Sequence, residues 1–198
     1  FTNAYALGRG SKLDATGHKI ICGGNTDMYS GYIGVAEYNT STEVWDLVVN
    51  YNGGGTGQWS NQWRLISGDG NVVVRYVKPN NQSSEYTYDI SGGTSTEMGE
   101  RFWSSDGHPY GKGTPLTLSY DGSIQFHRYT SGSTSASPIS SGGFIIAYKY
   151  NSSIDEWETF GKSNNIYGDE CDGLVGYGTD TWQNLGYTME CNNAGNVL

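Results

Sequence analysis

Carboxylates are the most abundant residues in this chain that can do acid–base chemistry. Glu156 and Glu158 flank Trp157, and Asp169 and Asp172 lie in a second acidic stretch. A glycosidase needs two carboxylates at a fixed separation across a sugar-binding cleft. These four carboxylates therefore define one hypothesis, a carbohydrate-active enzyme that uses an acidic pair. As acids of hairpin turns they would be solvated instead, and the sequence favours that interpretation.

Metal chemistry has one weak candidate. Asp169 and Asp172 offer the hard oxygen ligands that Ca²⁺ prefers. The stretch lacks the Asp-x-Asp-x-Asp-Gly spacing of an EF-hand loop, and the chain has no Cys/His spacing of the kind that holds structural zinc. We therefore expect no resident cofactor, with Ca²⁺ at these two aspartates as the alternative.

Nucleophilic catalysis is not signalled by any motif. The histidines are His18, His108 and His127, and no Gly-x-Ser-x-Gly elbow or cysteine motif accompanies them. The glycine-rich stretch at 53–57 does not continue into a phosphate-binding loop. We predict no catalytic residue and favour a protein that is not an enzyme.

Tryptophans in polar surroundings are the better candidates for binding. They lie among Gly, Ser, Asn and Gln: Trp59, Trp63, Trp103 and Trp182. Flat apolar rings beside amide side chains suit stacking on sugars, which makes a lectin a further hypothesis. The alternative is that these rings pack between structural units.

Charge and apolar runs exclude several partners. The chain of 198 residues has 11 Lys and Arg against 20 Asp and Glu, a formal net charge of −9. Such a charge repels a phosphate backbone, so we predict no nucleic-acid partner. The longest apolar runs are far shorter than the roughly 20 residues of a membrane-spanning helix. We expect other protein subunits, further units of the same polypeptide, or glycans as partners.

Secretion is suggested by three N-glycosylation sequons, at Asn39, Asn81 and Asn151. In an oxidising compartment, Cys171 and Cys191 are the expected disulfide pair, because one segment of about twenty residues separates them. Cys22 lies in an expected strand as a small buried side chain or as the partner of a cysteine elsewhere. The chain starts with Phe1 rather than Met, and we expect a processed protein or a segment of a longer one.

The elements that position these residues repeat along the chain. Four segments share an apolar strand, a polar turn that ends in glycine, and a second apolar strand. The four glycines are Gly17, Gly70, Gly122 and Gly195, of which the first three are almost evenly spaced. The Asp-Gly pairs at 69–70 and 121–122 are typical of hairpins.

A second repeated element follows each of two hairpins. The octapeptides 38–45 and 150–157 align without a gap, and each reads as the end of a strand, a polar turn and a Trp-bearing strand. The middle repeat has no clear Trp-bearing fourth strand. In the third unit the four strands are predicted at Pro115–Tyr120, Ser123–Thr130, Gly143–Tyr150 and Asp155–Phe160.

Together these elements predict an all-β fold of repeated four-stranded antiparallel units, like the blades of a β-propeller, with a β-sandwich or jelly roll as the alternative. The approximate units are 8–50, 60–105 and 113–162, with a partial fourth at 183–198. Because a closed propeller has typically four to eight blades, we expect a part of a longer polypeptide.

The blade junctions resemble kelch-like and FG-GAP-like propeller repeats. The resemblance lies in Leu118-Ser119-Tyr120-Asp121-Gly122, which matches the hairpin that opens a blade, and in the stretch from Trp157 to Gly168. Such repeats occur in large secreted or surface proteins. The resemblance implies a part of a surface or extracellular assembly. Together with the sequons and the lack of a catalytic motif, it favours a secreted or cell-surface, non-catalytic glycoprotein module with a structural or binding role.

Overall fold

The computed structural model describes residues 11–25, 31–52, 64–77, 84–100, 102–103, 113–130, 143–160, 162–164, 170–172 and 174–177. Within these ranges the regular secondary structure is β throughout. No helix among the described residues is long and apolar enough to cross a membrane.

Three antiparallel sheets, which we call the first, second and third blade, follow one another along the chain. The first contains β1 (Lys12–Leu13), β2 (Lys19–Asn25), β3 (Gly31–Asn39) and β4 (Val44–Asn52). The second contains β5 (Arg64–Ile66), β6 (Val72–Val77), β7 (Ser84–Asp89), β8 (Thr96–Glu97) and β9 (Phe102–Trp103). The third contains β10 (Gly113–Leu118), β11 (Ile124–Thr130), β12 (Gly143–Asn151), β13 (Glu156–Thr159) and β16 (Leu174–Tyr177).

Strand order within each blade is sequential, so each sheet contains a meander of four strands, to which β9 adds a fifth strand in the second blade and β16 in the third. The predicted fold class, all-β with repeated four-stranded antiparallel units, is therefore confirmed. The predicted partial fourth unit at 183–198 lies outside the described residues.

The fourth strand is the part of the blade that varies. In the first blade β4 is continuous and carries a register shift opposite Val35 and Ala36. In the second it is divided between β8 and β9, which both pair with β7. In the third it is divided between β13 and β16, which both pair with β12. The hairpin of β14 (Lys162–Asn164) and β15 (Glu170–Asp172) lies between these two parts in sequence.

A hydroxyl–carboxylate pair closes the first hairpin of each blade. In the second blade, Ser67 Oγ donates to Asp69 Oδ1 at 2.6 Å and accepts from the backbone N–H of Val72 at 2.9 Å. In the third blade, Ser119 Oγ makes the same bonds with Asp121 and the N–H of Ile124, at 2.7 and 2.9 Å. The two Asp-Gly hairpins thus share one pattern of side-chain hydrogen bonds, which we call the hairpin lock.

The first blade has the same lock with the two roles exchanged. Asp14 stands at the serine position and Thr16 at the aspartate position. Thr16 Oγ1 donates to Asp14 Oδ2, and Asp14 Oδ1 accepts from the N–H of Lys19 at 3.0 Å. The glycines that follow, Gly17 and Gly70, have φ of +74° and +72°, the left-handed conformation that glycine adopts at no steric cost.

Blades stack face to face, and each has two distinct faces. We call the face toward the preceding blade the front and the opposite face the back. Apolar side chains from the back of the first blade and the front of the second form one core: Ile21, Val35, Val49, Val73 and Ile90. A second core joins the back of the second blade to the front of the third: Val72, Val74 and Leu118. The back of the third blade has its own buried cluster: Ile124, Phe126 and Ala147.

Candidate functional site

A buried polar chain links the second blade to the third. Gln125 Nε2 donates to Thr87 Oγ1 at 2.7 Å, and Gln125 Oε1 lies 3.0 Å from His127 Nε2. His127 Nε2 is also 3.3 Å from Glu85 Oε1. All four side chains are at most 3% exposed. Strand periodicity places them, because Glu85 and Thr87 alternate on the back of β7, and Gln125 and His127 alternate on the front of β11.

Proton positions in this chain follow from its hydrogen bonds. Gln125 Oε1 can only accept, so His127 Nε2 carries the proton of the hydrogen bond between them. Burial raises the pKa of Glu85 well above its usual range, because the carboxylate would lose its hydration there. The interface therefore favours neutral Glu85. The His127 ring also lies edge-on to Tyr148, with centroids 5.1 Å apart.

The outer hairpin of the third blade makes a second set of contacts with the second blade, which we call the joint. Trp157 Nε1 donates to the carbonyl oxygen of Met98 at 2.8 Å. The backbone N–H of Gly99 donates to Asp155 Oδ1 at 2.8 Å, and the same oxygen accepts from Tyr150 Oη at 2.6 Å. This hydrogen bond raises the pKa of Tyr150 to about 12.

Gly99 makes that joint tight. Its φ is +68°, and a Cβ there would lie 2.9 Å from Trp157 Cδ1. Asp155 also has a positive φ, 55°. Aspartate tolerates this left-handed conformation better than most residues. The strained turn holds the carboxylate toward the neighbouring blade.

The first blade carries the same hairpin in a different setting. Tyr38, Glu43 and Trp45 align without a gap with Tyr150, Asp155 and Trp157: the two ring pairs match, with Tyr–Trp centroids 5.4 and 5.2 Å apart. Glu43 has φ 57°, like Asp155. Trp45, however, is 44% exposed.

Other outer side chains of that front face are exposed as well, whereas Ala36 in its interior is buried. Leu13 pairs with Ile20 in the register in which Leu118 pairs with Gln125. Leu13 is 57% exposed, whereas Leu118 is 8% exposed against the second blade. Leu47, beside Trp45 on the same face, is 45% exposed. The front of the first blade is an apolar joint surface open to solvent.

The sequon asparagines Asn39 and Asn151 occupy equivalent turns between the third and fourth strands. Asn39 Oδ1 accepts from the N–H of Ser41 at 3.0 Å, and Asn151 Oδ1 accepts from that of Ser153 at 3.1 Å. Each Nδ2 donates to a carboxylate of the following strand, Asp46 at 3.1 Å or Glu158 at 3.0 Å. Asn81 lies outside the described residues.

Three of the four predicted carboxylates lie in two described strands. Glu156 and Glu158 are exposed on β13, and Asp172 lies in β15. Asp169 is outside the described residues. No group of three His, Cys, Asp or Glu side chains that could hold a metal occurs among the residues that the structure describes.

Of the predicted cysteines and stacking tryptophans, three lie in described strands. Cys171 lies in β15 and Cys22 in β2, whereas Cys191 lies outside the described residues, so the disulfide stays a prediction. Trp103 is in β9, opposite Ser84. The remaining stacking candidates also lie outside the described residues: Trp59, Trp63 and Trp182.

Sequence analysis placed His127 in a strand but missed the side chains across the interface: Glu85, which lies beside His127, and Thr87, which accepts from Gln125. Glu85 and Thr87 lie much earlier in the chain, in a different blade. The available signal was the polar residues at alternate positions of two strands, Glu85 and Thr87 in β7 and Gln125 and His127 in β11. Such residues must satisfy one another when both strand faces are buried.

Comparison with known proteins bears on the fold. No family model matches the chain, and no curated protein matches it. Among solved structures, a prolyl endopeptidase is 10% identical over 79% of this chain and 22% of its own, with a TM-score of 0.50. TolB from Acinetobacter baumannii is 14% identical over 74% and 30%, with a TM-score of 0.43. The β-propeller domain of the Trilobed protease from Pyrococcus furiosus is 11% identical over 76% and 42%, with a TM-score of 0.42.

This chain spans less than half the length of each of these three structures. At such low identities the likeness concerns the fold and carries no activity across. The chain has an all-β fold of repeated, propeller-like blades.

Proposed function

We propose that this chain is a non-catalytic binding or structural module of a secreted or cell-surface glycoprotein. The observation that carries the proposal is the front of the first blade, where Leu13, Trp45 and Leu47 are 57, 44 and 45% exposed. Contiguous exposed apolar surface with a large aromatic ring is typical of protein-binding sites.

The use of the polar groups also supports a structural role. Glu85 and His127 are an acid and a base close enough to act as a catalytic pair, with Glu85 Oε1 3.3 Å from His127 Nε2. Both are almost fully buried between blades, at 3% and 1% exposure. A substrate would have to separate the second and third blades to reach them.

The positions of Asn39 and Asn151 are compatible with glycosylation. Both lie in hairpin turns whose neighbouring residues are exposed. An amide nitrogen has two protons, so attachment of a sugar leaves one for the carboxylate of Asp46 or Glu158. The glycan can therefore be added without breaking the turn.

Peptide mapping of the protein from its natural source tests the proposal, together with assays of glycoside hydrolysis. We expect hexosamine on Asn39 and Asn151 and no hydrolysis. Unmodified asparagine at both positions would contradict the proposal that the protein is a secreted glycoprotein. Hydrolysis that Glu156→Gln or Glu158→Gln abolishes would establish the carbohydrate-active enzyme instead.

The lectin alternative has its own readout. Glycan-array binding that is lost in Trp59→Ala or Trp182→Ala would assign sugar recognition to the predicted stacking residues. The matched control is Trp45→Ala, which removes an exposed tryptophan from the proposed protein-binding face. Loss of glycan binding in the control as well would contradict that division of roles.

A further inference from the structure

Two ends of the described structure carry the complementary halves of one joint. The second and third blades show the complete joint, in which Tyr150, Asp155 and Trp157 contact the edge at Met98 and Gly99. The front half of this joint, the hairpin with a Tyr, an acidic residue and a Trp, is repeated in the first blade. The back half, the strand edge that this hairpin contacts, is repeated at the outer edge of the third blade.

Strand pairing identifies the back half. The N–H of Met98 donates to the carbonyl of Thr87 at 2.9 Å, and the N–H of Phe160 donates to that of Ala147 at 2.8 Å. Phe160 therefore occupies the position of Met98, and a glycine follows each of them in sequence. Phe160 is 36% exposed, so this edge is accessible.

We propose that the protein associates with a second copy of itself, head to tail, with the first-blade hairpin of Tyr38, Glu43 and Trp45 packed against the third-blade edge at Lys149 and Phe160 of the other copy. This inference rests on the proposed function, because it names the partner of the exposed face. In this contact Trp45 Nε1 donates to the carbonyl of Phe160, as Trp157 donates to that of Met98.

Charge favours this contact between two copies over the contact between the second and third blades, from which it is deduced. Lys149 occupies the position of Asp89, since each pairs with the first residue of the preceding strand, Ile124 or Val72. The charge of Asp89 acts on Tyr150, whose hydroxyl donates to Asp155. In the proposed contact, a lysine takes the place of that aspartate opposite Glu43. Two like charges are replaced by an opposite pair.

The contact is confined to the outer hairpins. Towards the interior, the back of the third blade is already covered within the chain, because Ile124, Phe126 and Ala147 are at most 5% exposed. The outer part stays open, with Ile154 53% exposed and Lys149 lying 5.5 Å above the Phe160 ring. A contact that involves only the outer hairpins is small, so we expect the association to be weak and reversible.

A head-to-tail contact uses two different surfaces, which allows a mixing experiment. Each copy retains one free end, so association continues into rings or filaments. Trp45→Asp disables the front surface, and Phe160→Asp disables the back surface. Each variant keeps the other surface intact.

Sedimentation velocity over a range of concentrations measures the association. We expect the wild type to self-associate, each single variant to sediment as a monomer, and an equimolar mixture of the two to form a heterodimer with no larger species. Val44→Ser is the control, because Val44 is 52% exposed on the opposite face of β4. It should associate like the wild type.

Charge exchange supplies a second test that does not alter the aromatic residues. Lys149→Glu should weaken association at least about tenfold, as expected for loss of a central contact. Addition of Glu43→Lys should restore it, and added salt should weaken the wild-type association. A wild type that stays monomeric at all concentrations, or single variants that still associate with themselves, would overturn the proposal.

The two proposals fail separately. A monomer that bears glycans and lacks hydrolytic activity would overturn the self-association and leave the proposed function standing. A protein that associates head to tail and also hydrolyses sugars would do the reverse.

Discussion

Trp45 and Trp157 occupy the same position in two blades and differ in what they contact. Trp157 donates to the carbonyl oxygen of Met98 and covers Gly99. Trp45 packs on Tyr38 and is otherwise 44% exposed. The local hairpin is similar for both, so the neighbouring blade decides whether the ring stabilises the fold.

This difference makes the two tryptophans a matched pair for mutation. Trp157→Phe keeps an aromatic ring but removes the N–H donor, and we expect the free energy of unfolding to fall by about 0.5–1.5 kcal/mol, the usual net worth of a hydrogen bond. Trp45→Phe should leave it unchanged. Urea denaturation of both variants measures the difference, and equal losses would show that the Met98 hydrogen bond contributes nothing.

Glu85 gives a prediction for the pH dependence of stability. Because burial raises its pKa in the folded protein, the stability due to the neutral acid is fully present below the ordinary value of 4.5. It is lost as the pH rises toward the raised value, since the folded state then binds more protons than the unfolded state. Glu85→Gln keeps the shape and removes the titration.

Thermal unfolding of the wild type and of Glu85→Gln, followed from mildly acidic to neutral pH, measures this effect. We expect the variant to gain stability relative to the wild type as the pH rises. Glu97→Gln, exposed on β8, is the control and should show no such trend. If the wild type gained on Glu85→Gln, an ionised Glu85 paired with charged His127 would be stabilising the interface instead.

Residue-level prediction from the sequence was limited by distance along the chain. The turn residues Asp69 and Asp121 could be assigned, because their hydrogen-bond partners are near neighbours in the chain. The bonds of Gln125 and His127 reach another blade, and no local pattern encodes which strand lies opposite. Only the packing of two sheets brings these side chains together.

At the scale of elements, the hairpin lock shows why different sequences build the same turn. A hydroxyl and a carboxylate at alternate positions satisfy the turn in either order, as Asp14 with Thr16 and Ser67 with Asp69 demonstrate. In the third blade, burial alone would raise the pKa of Asp121. Hydrogen bonds from Ser119 and Ser123 outweigh burial, so the pKa is lowered.

The three hairpin glycines offer a graded test of blade packing. All have φ between 71° and 74°, so alanine costs about 1–2 kcal/mol of backbone strain at each. An added Cβ meets nothing at Gly17, meets Lys19 Cδ at 2.9 Å at Gly70, and clashes most severely with Val72 Cβ at Gly122. We expect the loss of stability to increase in that order.

Denaturant midpoints of Gly17→Ala, Gly70→Ala and Gly122→Ala measure this series. At Gly70 the obstacle is the end of a flexible lysine side chain, so Lys19→Ala should relieve part of the loss. At Gly122 the obstacle is a buried β-branched side chain, which has little freedom to move. Equal losses at all three positions would show that the hairpins do not pack between blades.

The fourth strand marks where element-level prediction stopped. The sequence predicted a Trp-bearing fourth strand in the first and third blades and no clear one in the second. There β8 covers only Thr96–Glu97, and the stretch from Asp89 to Met98 is shorter than its counterpart from Lys149 to Phe160. Division of the strand into β8 and β9 depends on pairing with β7 at two separate places, which no local pattern indicates.

At the scale of the whole molecule, the repeat made the fold predictable. A period marked by glycines and alternating apolar residues defined the strands; the third strand of the third blade, predicted at Gly143–Tyr150, is Gly143–Asn151. Periodicity alone does not say which face of a blade meets which neighbour. That assignment requires the side chains of two blades together, such as Val72 and Val74 with Leu118.

Unequal covering of the blades predicts unequal local stability. The second blade has neighbours on both faces: Val73 belongs to the core shared with the first blade, and Val74 to the core shared with the third. The front of the first blade is only partly covered, since Leu13 and Leu47 are exposed while Ala36 is buried. In repeat architectures, stability is approximately a sum over units and their interfaces, so the unit with two interfaces should open least often.

Hydrogen exchange measured on matched strands tests this prediction. The amides of Val72–Val74 and of Lys19–Ile21 occupy the same positions in β6 and β2, since each set begins at the same distance after the turn residue Ser67 or Asp14. At a protein concentration low enough to keep the chain monomeric, we expect the β6 amides to exchange at least about tenfold more slowly. Identical rates would mean that the blades open as one cooperative unit. In that case the exposed front of the first blade costs the monomer no local stability, because opening one blade would require opening all three.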